Sequence, residues 1–239
     1  MQNRYALDKD PIFYVTVACF ALLATGLPAM LGQPRFLPIL QAVALTIFLA
    51  IPLRQGNLKG ALTVIFLWLA LSMLLLGTLT LFFSGQMERA FEGGFLHRAA
   101  ISEWYYAEAT LPASFQAQPV ARIIEIAGIV LGSLLTWGLV GAWFLMRLAN
   151  LAAFSAGSLL LTLQNPFLIV IALPIWSVLQ IVGGGGLVAL LAEPLVRGNL
   201  AAGVQRLFAE RRVALMLFGG LFVVGILFEL VLPGFWHFA

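Results

Sequence analysis

The sequence predicts an all-α protein: a polytopic bundle of six or seven transmembrane helices with one amphipathic segment outside the hydrocarbon. Three observations predict it. Of the 239 residues, 62% are hydrophobic and 10% charged, against about 45–50% and about 25% in soluble domains. The 13 basic and 10 acidic side chains are too few to solvate a water-facing surface of this length. The apolar residues also lie in runs of about 20, the length that crosses a hydrocarbon core at about 1.5 Å per residue.

The first run, residues 12–31, is free of charge and closed by Gly32, Gln33, Pro34 and Arg35. It is longer than the about 7–15 residues of a signal-peptide core, and Asp8 and Asp10 flank it, so it reads as a retained first span. Residues 36–53 make a short second span, and residues 58–83 a third that is long enough to tilt. Residues 84–119 hold four of the ten acidic side chains and belong outside the hydrocarbon. Within them Met87, Phe91, Phe95, Ile101, Trp104 and Tyr105 recur at helical spacing opposite Glu88, Glu92, Arg98 and Glu108, with Gly93 and Gly94 weakening the middle. One or two short surface helices are expected, with Trp104, Tyr105 and Tyr106 at headgroup depth.

Residues 120–196 carry only Arg122, Glu125, Arg147 and Glu193 as charges. That length suits three crossings, with breaks expected near residues 147–150 and near either Asn165-Pro166 or Pro174. The last span is residues 213–233. Six crossings result if residues 151–164 only dip into the membrane, and seven if they span it. Lys and Arg collect in cytoplasmic loops. Seven crossings put nine basic residues on the N-terminal side and four on the other, whereas six give five against eight. Seven crossings with a cytoplasmic N terminus are therefore expected, in a single membrane domain whose external cap is residues 84–119.

Polar groups inside spans mark candidate sites, because ionisable residues at membrane depth are costly. Glu125 follows Arg122 by three residues on one helix face and reads either as a snorkelling pair or as a substrate or proton site. Glu229 has no cation nearby in sequence and must be protonated, near the far headgroups, or paired with another helix. Glu193 and Arg197 read as an ordinary interfacial ion pair. Gly183, Gly184, Gly185 and Gly186 are consecutive in a span that also holds Pro174, Ser177 and Gln180. Each glycine costs a helix interior about 1 kcal/mol relative to Ala, so the run either unwinds or admits a close neighbour. The Gly128/Gly132 and Ala153/Gly157 pairs read as packing. Arg206, Arg211 and Arg212 form a basic stretch suited to docking a partner.

The remaining features exclude several classes. Cys19 is the only cysteine, so no thiolate metal cluster or internal disulfide is expected. His97 and His237 lie outside the spans, which argues against bis-histidine haem. No Walker, HExxH, GxSxG or dinucleotide motif occurs. No cofactor, metal site or catalytic residue is expected, and no nucleic acid, since the basic residues are scattered. The expected partners are the lipid bilayer and other membrane or peripheral subunits. Two functions remain: a non-enzymatic subunit of a membrane assembly, or a permease for a small solute or lipid that uses a helix broken at residues 183–186, with Gln180, Glu125 and Glu229 along the path.

Overall fold

The computed structural model describes residues 10–107, 109–163, 172–198 and 200–236, and these are helical with no strand among them. The chain enters α1 (Pro11–Met30) through Asp10, whose carboxylate accepts the Ile12 N–H at 2.9 Å, with Pro11 at the first helical position. A tight turn with Gly32 at φ 64° leads into α2 (Phe36–Arg54). A second turn, with Gly56 at φ 72°, leads to α3 (Leu58–Phe82), capped by Asn57. Three further long helices follow: α8 (Leu139–Leu163), α9 (Ile175–Val196) and α11 (Arg212–Val231). Six helices are thus long and apolar enough to cross a bilayer, and the chain is a multi-pass membrane protein.

A shorter run lies within the bundle between the cap and Gly138, built from α6 (Pro119–Ala127), a π-helical turn (Gly128–Gly132) and α7 (Ser133–Leu135). Its 17 residues rise about 25 Å, short of the about 30 Å of a hydrocarbon core. It ends where Trp137 and Gly138 turn into the left-handed region, at φ 55° and 88°. Gly138 sits beside Leu49, Val188 and Ala192, about one turn inside the ends of α2 and α9. Residue 10 and Trp236 consequently lie on opposite faces, called here the first face and the cap face.

The cap comprises α4 (Ser84–Ala90) and α5 (Gly94–Ala107), hinged at Gly93 with φ 67°, and a coil over residues 109–118. It rests on the bundle. His97 Nε2 lies 2.8 Å from Ser155 Oγ and Ser102 Oγ lies 3.3 Å from Thr162 Oγ1, both partners being on α8. On the first face, α10 (Leu200–Glu210) links α9 to α11.

Gly183 to Gly186 lie inside α9, which continues unbroken through all four, and the unwound alternative does not occur. The bare backbone lets α11 approach: a Cβ on Gly183 would stand 2.5 Å from the Phe222 amide nitrogen and 2.8 Å from the Phe218 carbonyl oxygen. Gly128 is pressed against the Phe144 ring, and Gly157 against Thr80 and the Gly77 carbonyl.

Two other expectations are corrected. The chain does not break at residues 147–150, which lie within α8; the break falls at residues 136–138 instead. Arg147 and Asn150 do not end the helix: Arg147 stays exposed and stacks on Trp143, and Asn150 is buried and bonded to Gln41. Trp104 and Tyr105 do not face the headgroups. They are buried against α8 and α9, Trp104 meeting Trp176 edge to face at 6.4 Å, and only Tyr106 of the three points outward. The expected break at Asn165-Pro166, together with Glu108 and His237, lies outside the described residues.

Candidate functional site

Pro119 opens α6 directly after the cap coil, so the first turns of α6 carry Arg122 and Glu125 beneath the cap. Opposite them, α9 presents Gln180 and α11 presents Glu229 near its end. Arg122 joins all three: Nη1 donates to Glu125 Oε2 at 2.6 Å, and Nη2 donates to Gln180 Oε1 at 2.6 Å and to Glu229 Oε2 at 2.5 Å. Gln180 Nε2 also donates to Glu229 Oε2 at 2.6 Å. The second oxygen of Glu229 accepts the Phe115 N–H of the cap coil at 2.9 Å, and Gln116 Nε2 donates to the Leu230 carbonyl at 3.2 Å. The end of α11 therefore clasps the cap. Side-chain exposure is 3% for Glu229 and 10% for Arg122, and the Arg122 Nε has no partner among the described residues. Ion pairs this buried are strongly destabilised by loss of one member, because the other is left uncompensated.

Beside this cluster lies a cavity of about 520 Å³, bounded by the start of α2, the cap, α6 and α8. Arg35, Glu92, Glu125, Arg147, His97 and Asn150 contribute its polar lining, and Phe91, Trp143 and Leu151 part of its apolar lining. Arg147 stands in the middle of a spanning helix, its guanidinium 5.3 Å over the Trp143 ring. No carboxylate among the described residues pairs with it or with Arg35. Asn150 is held by reciprocal bonds with Gln41, Nδ2 to Oε1 at 2.6 Å and Oδ1 from Nε2 at 3.1 Å. Gln41 also donates to Thr25, which bonds Ser72, so a polar seam joins α1, α2, α3 and α8 behind the cavity. His97 is driven down to about 4 by burial, so the imidazole at the cavity wall is neutral at physiological pH.

The sequence-derived candidates divide by location. Gln180, Glu125 and Glu229 converge in one cluster, and Arg122 unites them. Gly183 to Gly186 sit about one turn further along α9, packed against Leu145, Leu69, Phe66 and α11, and do not line the cavity. Arg206, Arg211 and Arg212 lie on the first face. Arg211 is turned inward, bonding the Gly56 carbonyl at 3.3 Å and approaching Glu193 at 3.8 Å, while Arg197 pairs with Glu193 at 3.0 Å. Sequence reasoning missed Arg147, Asn150 and Gln41. The signal present was a polar residue one helical turn from Trp143, which matches a stacked cation as well as a helix end.

No protein family, characterised protein or solved structure matches the chain.

Proposed function

We propose that this protein is a membrane carrier for a small amphipathic molecule bearing an anionic group, which it takes up from the cap face into the cavity beside α6. The observation that supports it best is Arg147, a guanidinium inside a spanning helix, facing a cavity of about 520 Å³ with no carboxylate partner among the described residues. A charge held at that depth is costly unless a counter-charge arrives, and intramembrane ionisable groups mark ligand paths. The volume lies within the about 300–1,000 Å³ of ligand sites, and the mixed lining suits a charged head on an apolar body. The short run of residues 119–135 contains a π turn and is followed by left-handed Trp137, features that concentrate at functional sites. The first face is cytoplasmic in this reading, since it carries Arg54, Lys59, Arg197, Arg206, Arg211 and Arg212 against Arg35, Arg89 and Arg98 on the cap face. No covalent chemistry is assigned to the chain.

Reconstitution in liposomes containing a fluorescent short-chain phosphatidic acid tests the proposal. Transfer of the probe across the bilayer is expected to depend on the protein. Arg147→Gln is expected to slow it about tenfold, the loss of one charge-assisted contact worth about 1.4 kcal/mol. Transfer equal to that of protein-free liposomes would overturn the carrier reading.

A subunit role is the second reading, favoured by Gly219 and Gly220 on α11, which nothing covers within 4 Å and which would let another helix approach closely. Stoichiometric partner chains retained in mild detergent, and lost on Gly220→Leu, would support it.

A further inference from the structure

On the first face, a hollow of about 160 Å³ lies where α10 packs on the end of α9. The contact is made by Gly203, where a Cβ would stand 2.6 Å from Pro194 Cα. Arg197, Arg206 and Arg211 line the hollow together with Glu193 and Glu210, so its wall carries an excess of one positive charge. It shares no lining residue with the cavity at Arg147.

The wall is organised by Glu193, whose side chain is 9% exposed. One carboxylate oxygen accepts from Arg197 Nη1 at 3.0 Å, and the other stands 3.8 Å from Arg211 Nε. Arg211 Nη2 also donates to the Gly56 carbonyl at 3.3 Å. Two guanidiniums are thus held on one buried carboxylate with only part of their five N–H donors in use. Arg206 and Glu210, exposed one turn apart on α10, form no ion pair among the described residues. Because α10 joins the ends of two spanning helices, the hollow stands at the level of the lipid headgroups. α10 is itself amphipathic: Leu207 is buried in the bundle, and Phe208, 62% exposed, is an apolar anchor for the membrane interface. Exposed Val213 and Met216 begin the apolar surface of α11 directly beyond Arg212.

We propose that this hollow binds the phosphodiester group of an anionic phospholipid, whose single negative charge balances the excess on the wall. Guanidinium forks match phosphate oxygens in shape and charge, and basic pockets at the ends of spanning helices take lipid headgroups. Arg206 and the unused donors of Arg197 and Arg211 supply the contacts. The inference does not rest on the carrier reading and holds whatever the cavity at Arg147 takes.

The test uses the full chain in phosphatidylcholine nanodiscs, with Cys19 replaced by Ala and exposed Ala209, one turn from Arg206, replaced by Cys and labelled with a fluorophore. Quenching by phosphatidylglycerol with a nitroxide near the top of one acyl chain is compared with quenching by the matching phosphatidylcholine nitroxide. Phosphatidylglycerol is expected to associate about tenfold more strongly, the effect of one charge-assisted contact. Arg206→Gln is expected to abolish that preference. Arg212→Gln removes the same charge outside the hollow and is expected to keep most of it, as is Arg147→Gln. Arg206 is exposed, so its loss leaves the fold intact, which thermal unfolding checks. Equal association of the two lipids would overturn the site. So would equal losses in Arg206→Gln and Arg212→Gln, the mark of diffuse surface attraction. Loss of the preference on adding inorganic phosphate, but not sodium chloride at the same ionic strength, would overturn the lipid as the source of the bound group.

Discussion

Replacing Gly183 by Ala probes why four glycines occupy one helix. Ala gains about 1 kcal/mol of helix propensity over Gly, so at a free face the change stabilises. At Gly183 the new methyl meets the Phe222 amide nitrogen at 2.5 Å and the Phe222 Cα and Phe218 carbonyl oxygen at 2.8 Å. These are backbone atoms, and no rotamer change moves them, so α9 and α11 must separate. Overpacking of this kind costs about 1–3 kcal/mol, and the rigid partner puts this site at the upper end, so a net loss of about 2 kcal/mol remains after the propensity gain. Gly186 faces the Phe218 ring and is expected to behave alike. Gly184 and Gly185 meet the tips of Leu145 and Leu69 at 3.2 and 3.1 Å, which yield by small rotations, so their Ala variants are expected within about 1 kcal/mol of the parent. Thermal unfolding in mild detergent reads all four. A Gly183→Ala chain as stable as the parent would refute the packing argument.

Asn150→Ala strands the Gln41 amide at the buried seam and is expected to cost about 1–3 kcal/mol, whereas Gln41→Leu with Asn150→Leu removes both partners and costs less, as a two-variant comparison of melting temperatures reads. Gly138→Ala forces a side chain into φ 88° and against the Ala192 methyl at 2.9 Å, so it is expected to destabilise by more than about 1 kcal/mol in the same assay. His97 binds its proton less readily folded than unfolded. Its contribution is therefore absent above about 6.5 and appears as a loss of stability as pH falls from there toward about 4, a slope that His97→Asn is expected to reduce. Cysteines introduced at Gln116 and Phe235 are expected to react with an impermeant maleimide added outside cells, and one at Gln205 only after permeabilisation; the reverse pattern would invert the orientation.

The long spans were legible because hydropathy alone sets them, and α1, α2, α3 and α11 begin and end within about two residues of the expected bounds. The boundary inside residues 120–196 was not, because polarity was read as an interruption. Arg147 and Asn150 stay inside α8 since stacking on Trp143 and bonding to Gln41 serve their polar atoms. The true turn at residues 136–138 carries no charge and depends on left-handed backbone at Trp137 and Gly138. The candidate carboxylates were visible one at a time as charges in apolar runs, but their convergence was not. Arg122 and Glu229 are 107 residues apart, and only the packing of α6 against α9 and α11 joins them. The cap's amphipathic period was visible too, yet period alone does not say whether Trp104 faces lipid or protein, and here Trp176 and α8 take that face.

The assignment of the cavity to an anionic amphiphile is tested most directly by equilibrium binding, measured as fluorescence anisotropy of the short-chain phosphatidic acid probe with purified protein in detergent. The parent chain is expected to bind it at least about tenfold more tightly than Arg147→Gln does, and more tightly than the parent binds the diacylglycerol of the same chain length. Equal affinity of the parent for the charged and uncharged probes, or affinity for the charged one unchanged by Arg147→Gln, would contradict it.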